Sequence, residues 1–141
     1  MQINVFCDGG ARGNPGPAAV GFVIKDSAGK VIKKKGKYLG RATNNVAEYQ
    51  AVVAALAWLS QQVKPDSQPV AYTFFLDSRL VVNQLNGLFK VKKASLRSLV
   101  VKIRQLEQAV GGNINYLFIK REKNQEADQL VNLTLDQKLL S

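Results

Sequence analysis

A chain of 141 residues can bury one sizeable core but not two, so a single domain over residues 1–141 is expected. With 46% hydrophobic and 21% charged residues, composition is that of a globular protein and excludes extended disorder. One cysteine, Cys7, and no histidine exclude an internal disulfide, a cysteine-based metal site and the commonest general base, while a formal charge of +10 favours a polyanion, nucleic acid ahead of an anionic membrane.

The amino terminus, MQINVFCD, has no basic segment followed by a long apolar one. No run approaches the roughly 18 apolar residues of a membrane span, so a soluble, cytoplasmic protein is expected. Gln2 to Asp8 alternates Ile3, Val5 and Cys7 with Phe6, the pattern of a strand covered on both faces. Ala18 to Lys25 reads as a second strand and Asp26 to Gly29 as a hairpin turn. Val31 to Leu39 is the third strand, its lysines at 33 to 35 and 37 protecting an edge.

Thr43 to Gln62 has no breaker and is apolar on nearly all sides after Glu48, as in a helix buried against a sheet. Lys64 to Pro69 is a connector, Val70 to Leu76 a short strand, and Ser78 to Asn86 a helix. Ser95 to Val110 forms a helix with Leu96, Leu99, Val100, Ile103 and Leu106 on one stripe, stopped by Gly111 and Gly112. Ile114 to Ile119 is a fifth strand, and a last helix runs from about Asn124 to Leu140 with Leu130, Val131 and Leu135 inward. The order βββαβααβα predicts an α/β fold: a mixed five-stranded sheet, antiparallel first and parallel later, with helices on both faces.

The ten acidic residues divide by their surroundings. Asp26, Asp66, Glu107 and Asp136 fall in turns or on polar helix faces, where nothing sets them apart. Asp8, Glu48, Asp77 and Asp128 sit instead at strand ends and helix starts beside apolar residues. Such positions can converge on one edge of an open sheet, where α/β folds bind ligands. An unpaired cluster of like charges is costly, and oxygen ligands without His or Cys point to Mg²⁺ or Mn²⁺. Two ions about 4 Å apart would stabilise the attacking and leaving oxygens of a phosphoryl transfer. Each acid also has a plainer explanation. Glu48 follows Asn45 at a capping-box spacing, Asp77 or Ser78 can cap a helix, and Asp128 suits a helix dipole. Asp8 resists such an explanation best, since an acid inside an apolar strand needs a partner.

Four blocks carry a family resemblance: DGGARGNPGPAAVGFVI from Asp8, TNNVAEYQAVVAAL from Thr43, LDSRLVVNQLNGLFKVK from Leu76 and REKNQEADQLVN from Arg121. In this order and spacing the chain resembles a type 1 ribonuclease H over nearly its whole length. The resemblance implies the ribonuclease H fold and metal-dependent endonucleolytic hydrolysis of the RNA strand of RNA–DNA hybrids, leaving 5′-phosphate and 3′-hydroxyl ends. It implies that Asp8, Glu48, Asp77 and Asp128 are the catalytic acids holding two Mg²⁺ or Mn²⁺ ions. It further implies substrate contacts from the backbone of Gly9, Gly10, Ala11 and Arg12, from Asn14, Asn44 and Asn45 in the RNA minor groove, from Thr43 to a DNA phosphate, and from Arg79 toward the RNA. Amide groups suit that task, because the 2′-hydroxyl both donates and accepts.

Two departures stand out. Where many members carry a flexible-loop His, this chain has Arg121 and Glu122, and an arginine steadies phosphate or product without acting as a base. After Asn86 the chain passes almost directly to the next helix, like the short form that lacks a basic protrusion. Lys90, Lys92, Lys93 and Arg97 either replace part of that grip or form a solvated basic helix start. Trp58 is expected in the core, and Cys7 is expected to face away from the acids. No obligate protein partner is indicated and a monomer is expected. An inactive nucleic-acid-binding module, an integrase-like or junction-resolving nuclease, and a partner-binding domain with capping acids remain rival readings.

Overall fold

The structure, a computed structural model, describes residues 1–64 and 68–140. Asp66 and the middle of the connector expected between Lys64 and Pro69 lie outside the described residues. The chain forms β1 (Gln2–Ala11), β2 (Gly16–Asp26), β3 (Val31–Ala42), α1 (Asn44–Gln62), β4 (Ala71–Leu76), α2 (Arg79–Leu85), α3 (Ala94–Val110), β5 (Asn113–Phe118) and α4 (Gln125–Leu140), with a 3₁₀ turn, Arg121–Lys123, before α4. The strands assemble in the order β3-β2-β1-β4-β5. β1 pairs antiparallel with β2 and β2 with β3, whereas β4 runs parallel to both β1 and β5. This is the mixed sheet expected from the element order.

Strand ends differ from expectation. β1 continues past Asp8 because Gly9, Gly10 and Ala11 pair with Val20, Ala19 and Ala18. β3 likewise runs to Ala42, where it meets Gly16. Glycines carry no strand periodicity, so a reading based on side chains stops short of these ladders. Asp8 therefore lies inside the β1–β2 ladder, although it is already beyond the last β1–β4 pair, Phe6 with Phe75. The β2–β3 turn follows the Asp26 signal, with Asp26 Oδ1 accepting from the N–H groups of Ala28 and Lys30, both at 2.9 Å. β3 is an edge strand, and its lysines occupy that edge as expected.

Residues in a strand alternate faces, and neighbours on β1 show how the two helical layers are seated. A Cβ on Gly9 would stand 2.1 Å from the Ala47 carbonyl oxygen of α1. On the other face, a Cβ on Gly21, which pairs with Asp8, would stand 2.5 Å from the Ala127 carbonyl oxygen of α4. These missing side chains let each helix backbone approach the sheet. α1 is buried between β1 and α3, with Tyr49, Val52, Leu56 and Leu59 in the main core. α3 adds the expected stripe of Leu96, Leu99, Val100, Ile103 and Leu106, and Trp58 packs partly buried on the same core. Cys7 is fully buried there, away from the face that carries Asp8. α4 packs Val131 and Leu135 on Ala19 and Tyr38, with Leu130 half-buried. Among the described residues no helix is long and apolar enough to cross a membrane.

Candidate active site

β1 and β4 are parallel, so their carboxyl ends share one sheet edge, and ligands of open α/β sheets bind there. Extending the Phe6–Phe75 register by two residues sets Asp8 across from Asp77, just past the end of β4. Glu48 reaches the same point from the second turn of α1. Its Oε1 accepts the Gly9 N–H at 3.3 Å. Carboxylate oxygens of Asp8, Glu48 and Asp77 all lie within 4.8 Å of one another. Asp128 stands outside this tight group but lines the same cleft, about 380 Å³ in volume, from the first turn of α4. Its Oδ2 accepts from Asn132 Nδ2 at 3.3 Å.

The plainer explanations for two of these acids fall away. Thr43 caps α1 by accepting the Val46 N–H at 3.2 Å, so Glu48 closes no capping box with Asn45. Ser78 caps α2 by accepting the Val81 N–H at 3.3 Å, which leaves the Asp77 carboxylate to the cleft. Asp128 is both near a helix start and in the cleft, and one position serves both.

Electrostatics mark the cluster as strained in the absence of cations. Asp8 and Glu48 are each 7% exposed. Burial, then the Asp77 charge, pushes the Asp8 carboxyl up to about 7; Asp128 adds repulsion, and a hydrogen bond with Glu48 opposes the rise. Burial followed by Asp8 and Asp77 raises the Glu48 carboxyl well above the usual range, against the pull of the Gly9 N–H. Glu48 Oε2 is buried with no hydrogen-bond partner. Among the described residues no lysine or arginine forms an ion pair with any of the four acids. A buried oxygen without a donor, in an all-carboxylate set without a balancing side chain, fits a hard divalent cation such as Mg²⁺ or Mn²⁺.

The other expected site residues do not all reach the cleft. Gly9, Gly10, Ala11, Arg12, Asn44, Asn45 and Arg121 line the cleft with the acids. Asn14 and Thr43 act just behind it. Asn14 Oδ1 accepts the Asn44 N–H at 3.0 Å, and Asn44 Oδ1 accepts the Ala11 N–H at 2.8 Å, which knits the β1–β2 loop to the start of α1. Arg79 is held elsewhere, its guanidinium 3.9 Å from the Phe118 ring centre. Glu122 lies on the far side of its turn, in a separate hollow with Phe6 and Lys25. Lys90, Lys92 and Lys93 line a shallow groove with Leu88 and Phe89 that meets the acidic cleft at Asn45. Arg97 is turned back on its own segment, Nη1 donating to the Lys92 carbonyl at 2.6 Å.

Three residues gain roles that sequence reading missed. Asp136 pairs with Arg12 at 2.6 Å and so ties the β1–β2 loop to α4. Glu107 accepts from the Tyr116 hydroxyl at 2.6 Å and pairs with Arg104 at 3.0 Å, a link between α3 and β5. Asn124, buried just ahead of α4, donates from Nδ2 to the Cys7 carbonyl at 2.8 Å and to Asp77 Oδ2 at 3.2 Å. Its only sequence signal is its place four residues before Asp128, within the block that begins at Arg121.

Residues 6–134 match the family model described as reverse transcriptase-like. LC11-RNase H1, solved in complex with an RNA/DNA hybrid, is 40% identical and superposes with a TM-score of 0.87 over 97% of this chain and 99% of that one. RNase H1 of the halophilic archaeon Halobacterium salinarum is 35% identical, with a TM-score of 0.85 over 97% and 99% of the two chains. A bifunctional protein of Mycobacterium tuberculosis is 39% identical over 137 residues, 96% of this chain and 36% of that protein. The chain thus spans about a third of the length of its mycobacterial relatives. Similarity to LC11-RNase H1 from end to end, on a fold that gathers acids from β1, α1, β4 and α4 at one sheet edge, makes this chain a member of the type 1 ribonuclease H family.

Proposed function

We propose that this chain is a metal-dependent endonuclease that hydrolyses the RNA strand of RNA–DNA hybrids, leaving 5′-phosphate and 3′-hydroxyl ends. The observation that carries this reading is the group of three carboxylates within 4.8 Å, two of them buried and none ion-paired with a lysine or arginine among the described residues. Asp8, Glu48, Asp77 and Asp128 would hold two Mg²⁺ or Mn²⁺ ions, and bound cations supply charge compensation for the attacking and leaving oxygens. The Gly9 N–H orients Glu48 toward that centre. Gly10, Ala11 and Arg12 offer backbone along the cleft, and Asn44 and Asn45 offer amides able to read a 2′-hydroxyl. One unit spanning residues 1–141, acting as a monomer in the cytoplasm, completes the reading; a lone buried thiol suits a reducing compartment.

The test is a panel of labelled RNA–DNA hybrid, RNA duplex, DNA duplex and single strands, each with Mg²⁺, Mn²⁺ or EDTA. Cleavage confined to the RNA of the hybrid and lost in EDTA is expected. No cleavage with either ion would overturn the enzyme reading.

Two further outcomes are expected from charged residues at the rim. Arg121 lines the cleft, and a guanidinium there suits the part of steadying phosphate or product. Arg121→Ala should slow turnover about tenfold or raise KM without moving the pH profile; unchanged kinetics from pH 6 to 9 would remove that role. The groove of Lys90, Lys92 and Lys93 adjoins the cleft at Asn45, where a bound duplex would continue. Lys92→Ala with Lys93→Ala should weaken hybrid binding and lower its salt-dependence slope by about 2, as measured by fluorescence polarisation in Ca²⁺. An unaltered slope would identify these lysines as a merely solvated helix start.

A further inference from the structure

Asn124 is 1% exposed and stands where β1, the end of β4 and the start of α4 meet. Both partners of its amide nitrogen are acceptors, the Cys7 carbonyl and Asp77 Oδ2. A flipped amide would set oxygen against oxygen twice, so chemistry fixes which side faces the strands. The backbone carbonyl of Asn124 accepts the Asp128 N–H at 3.1 Å, the ordinary first bond of α4. The side chain therefore holds both the peptide immediately before Asp8 and the carboxylate of Asp77.

Helix capping does not account for this arrangement. An asparagine cap uses its side-chain oxygen to accept an N–H two or three residues on. Here Oδ1 has no partner and the amide nitrogen reaches across to the strands. Burying a carboxamide with one oxygen unsatisfied is unfavourable, and a residue that served only to space α4 from the sheet would not need it.

We propose that Asn124 is a positioning residue, whose side chain fixes the Asp77 carboxylate toward Asp8 and Glu48. For its effect on turnover the inference rests on the hydrolytic reading above; for its effect on cation affinity it does not. Carboxylates that hold metals are themselves held by hydrogen bonds, and loss of such a partner typically costs 10–100-fold in metal affinity or activity.

Two substitutions separate positioning from bulk stability. Asn124→Leu keeps the branched four-atom shape in a bulkier form without a donor, whereas Asn124→Ala empties the site. Each is melted in EDTA, titrated with Mg²⁺ while the backbone amide signals of Gly9 and Asp77 are followed by NMR, and assayed on a hybrid. Both variants should lose about 10–100-fold in Mg²⁺ affinity and in kcat, with KM for the hybrid unchanged, and the losses should match although their melting temperatures differ. Mg²⁺ affinity within twofold of the parent in a folded variant, or losses that track melting temperature, would overturn the proposal. If the parent protein cuts no hybrid, the hydrolytic reading fails, and the Mg²⁺ titration still decides the part played by Asn124.

Discussion

Asp8→Asn is expected to abolish hybrid cleavage and, in the same protein, to raise the melting temperature of the metal-free fold above pH 7. Both effects follow from one carboxylate. Asp8 is the member of the cluster that faces Asp77 across the sheet edge and has a carboxylate oxygen within 4.8 Å of one of Glu48. Losing its charge removes a ligand from a centre worth several kcal/mol of transition-state stabilisation, so turnover should fall by roughly 10³-fold or more.

The stability effect has a definite sign. The Asp8 carboxyl sits at about 7 in the fold, against an ordinary value near 3.8. Between those values the folded state holds a proton that the unfolded chain releases, so metal-free stability falls as pH rises from about 4 to about 7 and stays low above that. A rise of that size corresponds to about 4 kcal/mol, and sharing between Asp8 and Glu48 brings the gain from one substitution to about 2–4 kcal/mol. Thermal melts in EDTA at pH 5 and pH 8 read this directly. The parent should melt lower at pH 8 than at pH 5, and Asp8→Asn should lessen that difference. Added Mg²⁺ should raise the melting temperature of the parent and not that of the variant. A variant less stable than the parent at pH 8 in EDTA would show that the cluster carries no such strain, and surviving cleavage would remove Asp8 from the site.

Gly9→Ala should be strongly destabilising, while the same change at the next residue, Gly10, should leave the stability of the fold almost unaltered. At Gly9 the new Cβ would lie 2.1 and 2.2 Å from the carbonyl oxygen and carbon of Ala47 and 2.6 Å from the Glu48 nitrogen. All three are backbone atoms of α1, so relief requires moving the helix. Such overpacking should cost about 3 kcal/mol or more and shift Glu48 away from the Gly9 N–H that orients it. Hybrid turnover should fall by roughly 100-fold in whatever fraction folds. A Cβ at Gly10 meets only Val131 Cγ1 at 3.7 Å, an ordinary contact, and a cost within about 0.5 kcal/mol is expected. Urea denaturation of the pair measures the difference. Equal stability of the two variants would mean that α1 is not seated against β1 as described.

The comparison bears on how Gly9 is understood. From the chain alone, the family resemblance implies that it lets backbone lie along the RNA strand. In the folded protein the space a side chain would need is already taken by α1, whether or not a nucleic acid is present. Gly21 shows the same on the opposite face, where its missing side chain admits the α4 backbone that carries Asp128. Neither requirement can be read from neighbours in sequence, because the atoms that impose it lie about 40 and 110 residues away.

Much of the architecture was legible in residue patterns because periodicity and capping are local. Alternation in β1, the unbroken apolar run of α1 and the Asp26 turn each depend on residues within a few positions of one another. The same locality exposed the four boundary acids, since a carboxylate amid apolar neighbours is conspicuous wherever it ends up. What locality could not reveal was which of them converge. Asp8 and Asp77 meet because β4 pairs parallel to β1 in one register, and a slip of one residue would turn the Asp77 side chain to the opposite face. Asn124 was invisible for a related reason: its amide bonds a carbonyl 117 residues away and a carboxylate 47 residues away. Arg12 and Asp136, two ordinary surface charges in the chain, become a loop-to-helix tie for the same reason. Chain chemistry alone determines that the acids must be compensated, because charge burial is unfavourable in any fold. The distances that make compensation by one metal centre possible come only from packing, where two glycines let two helices close on the strand that carries Asp8.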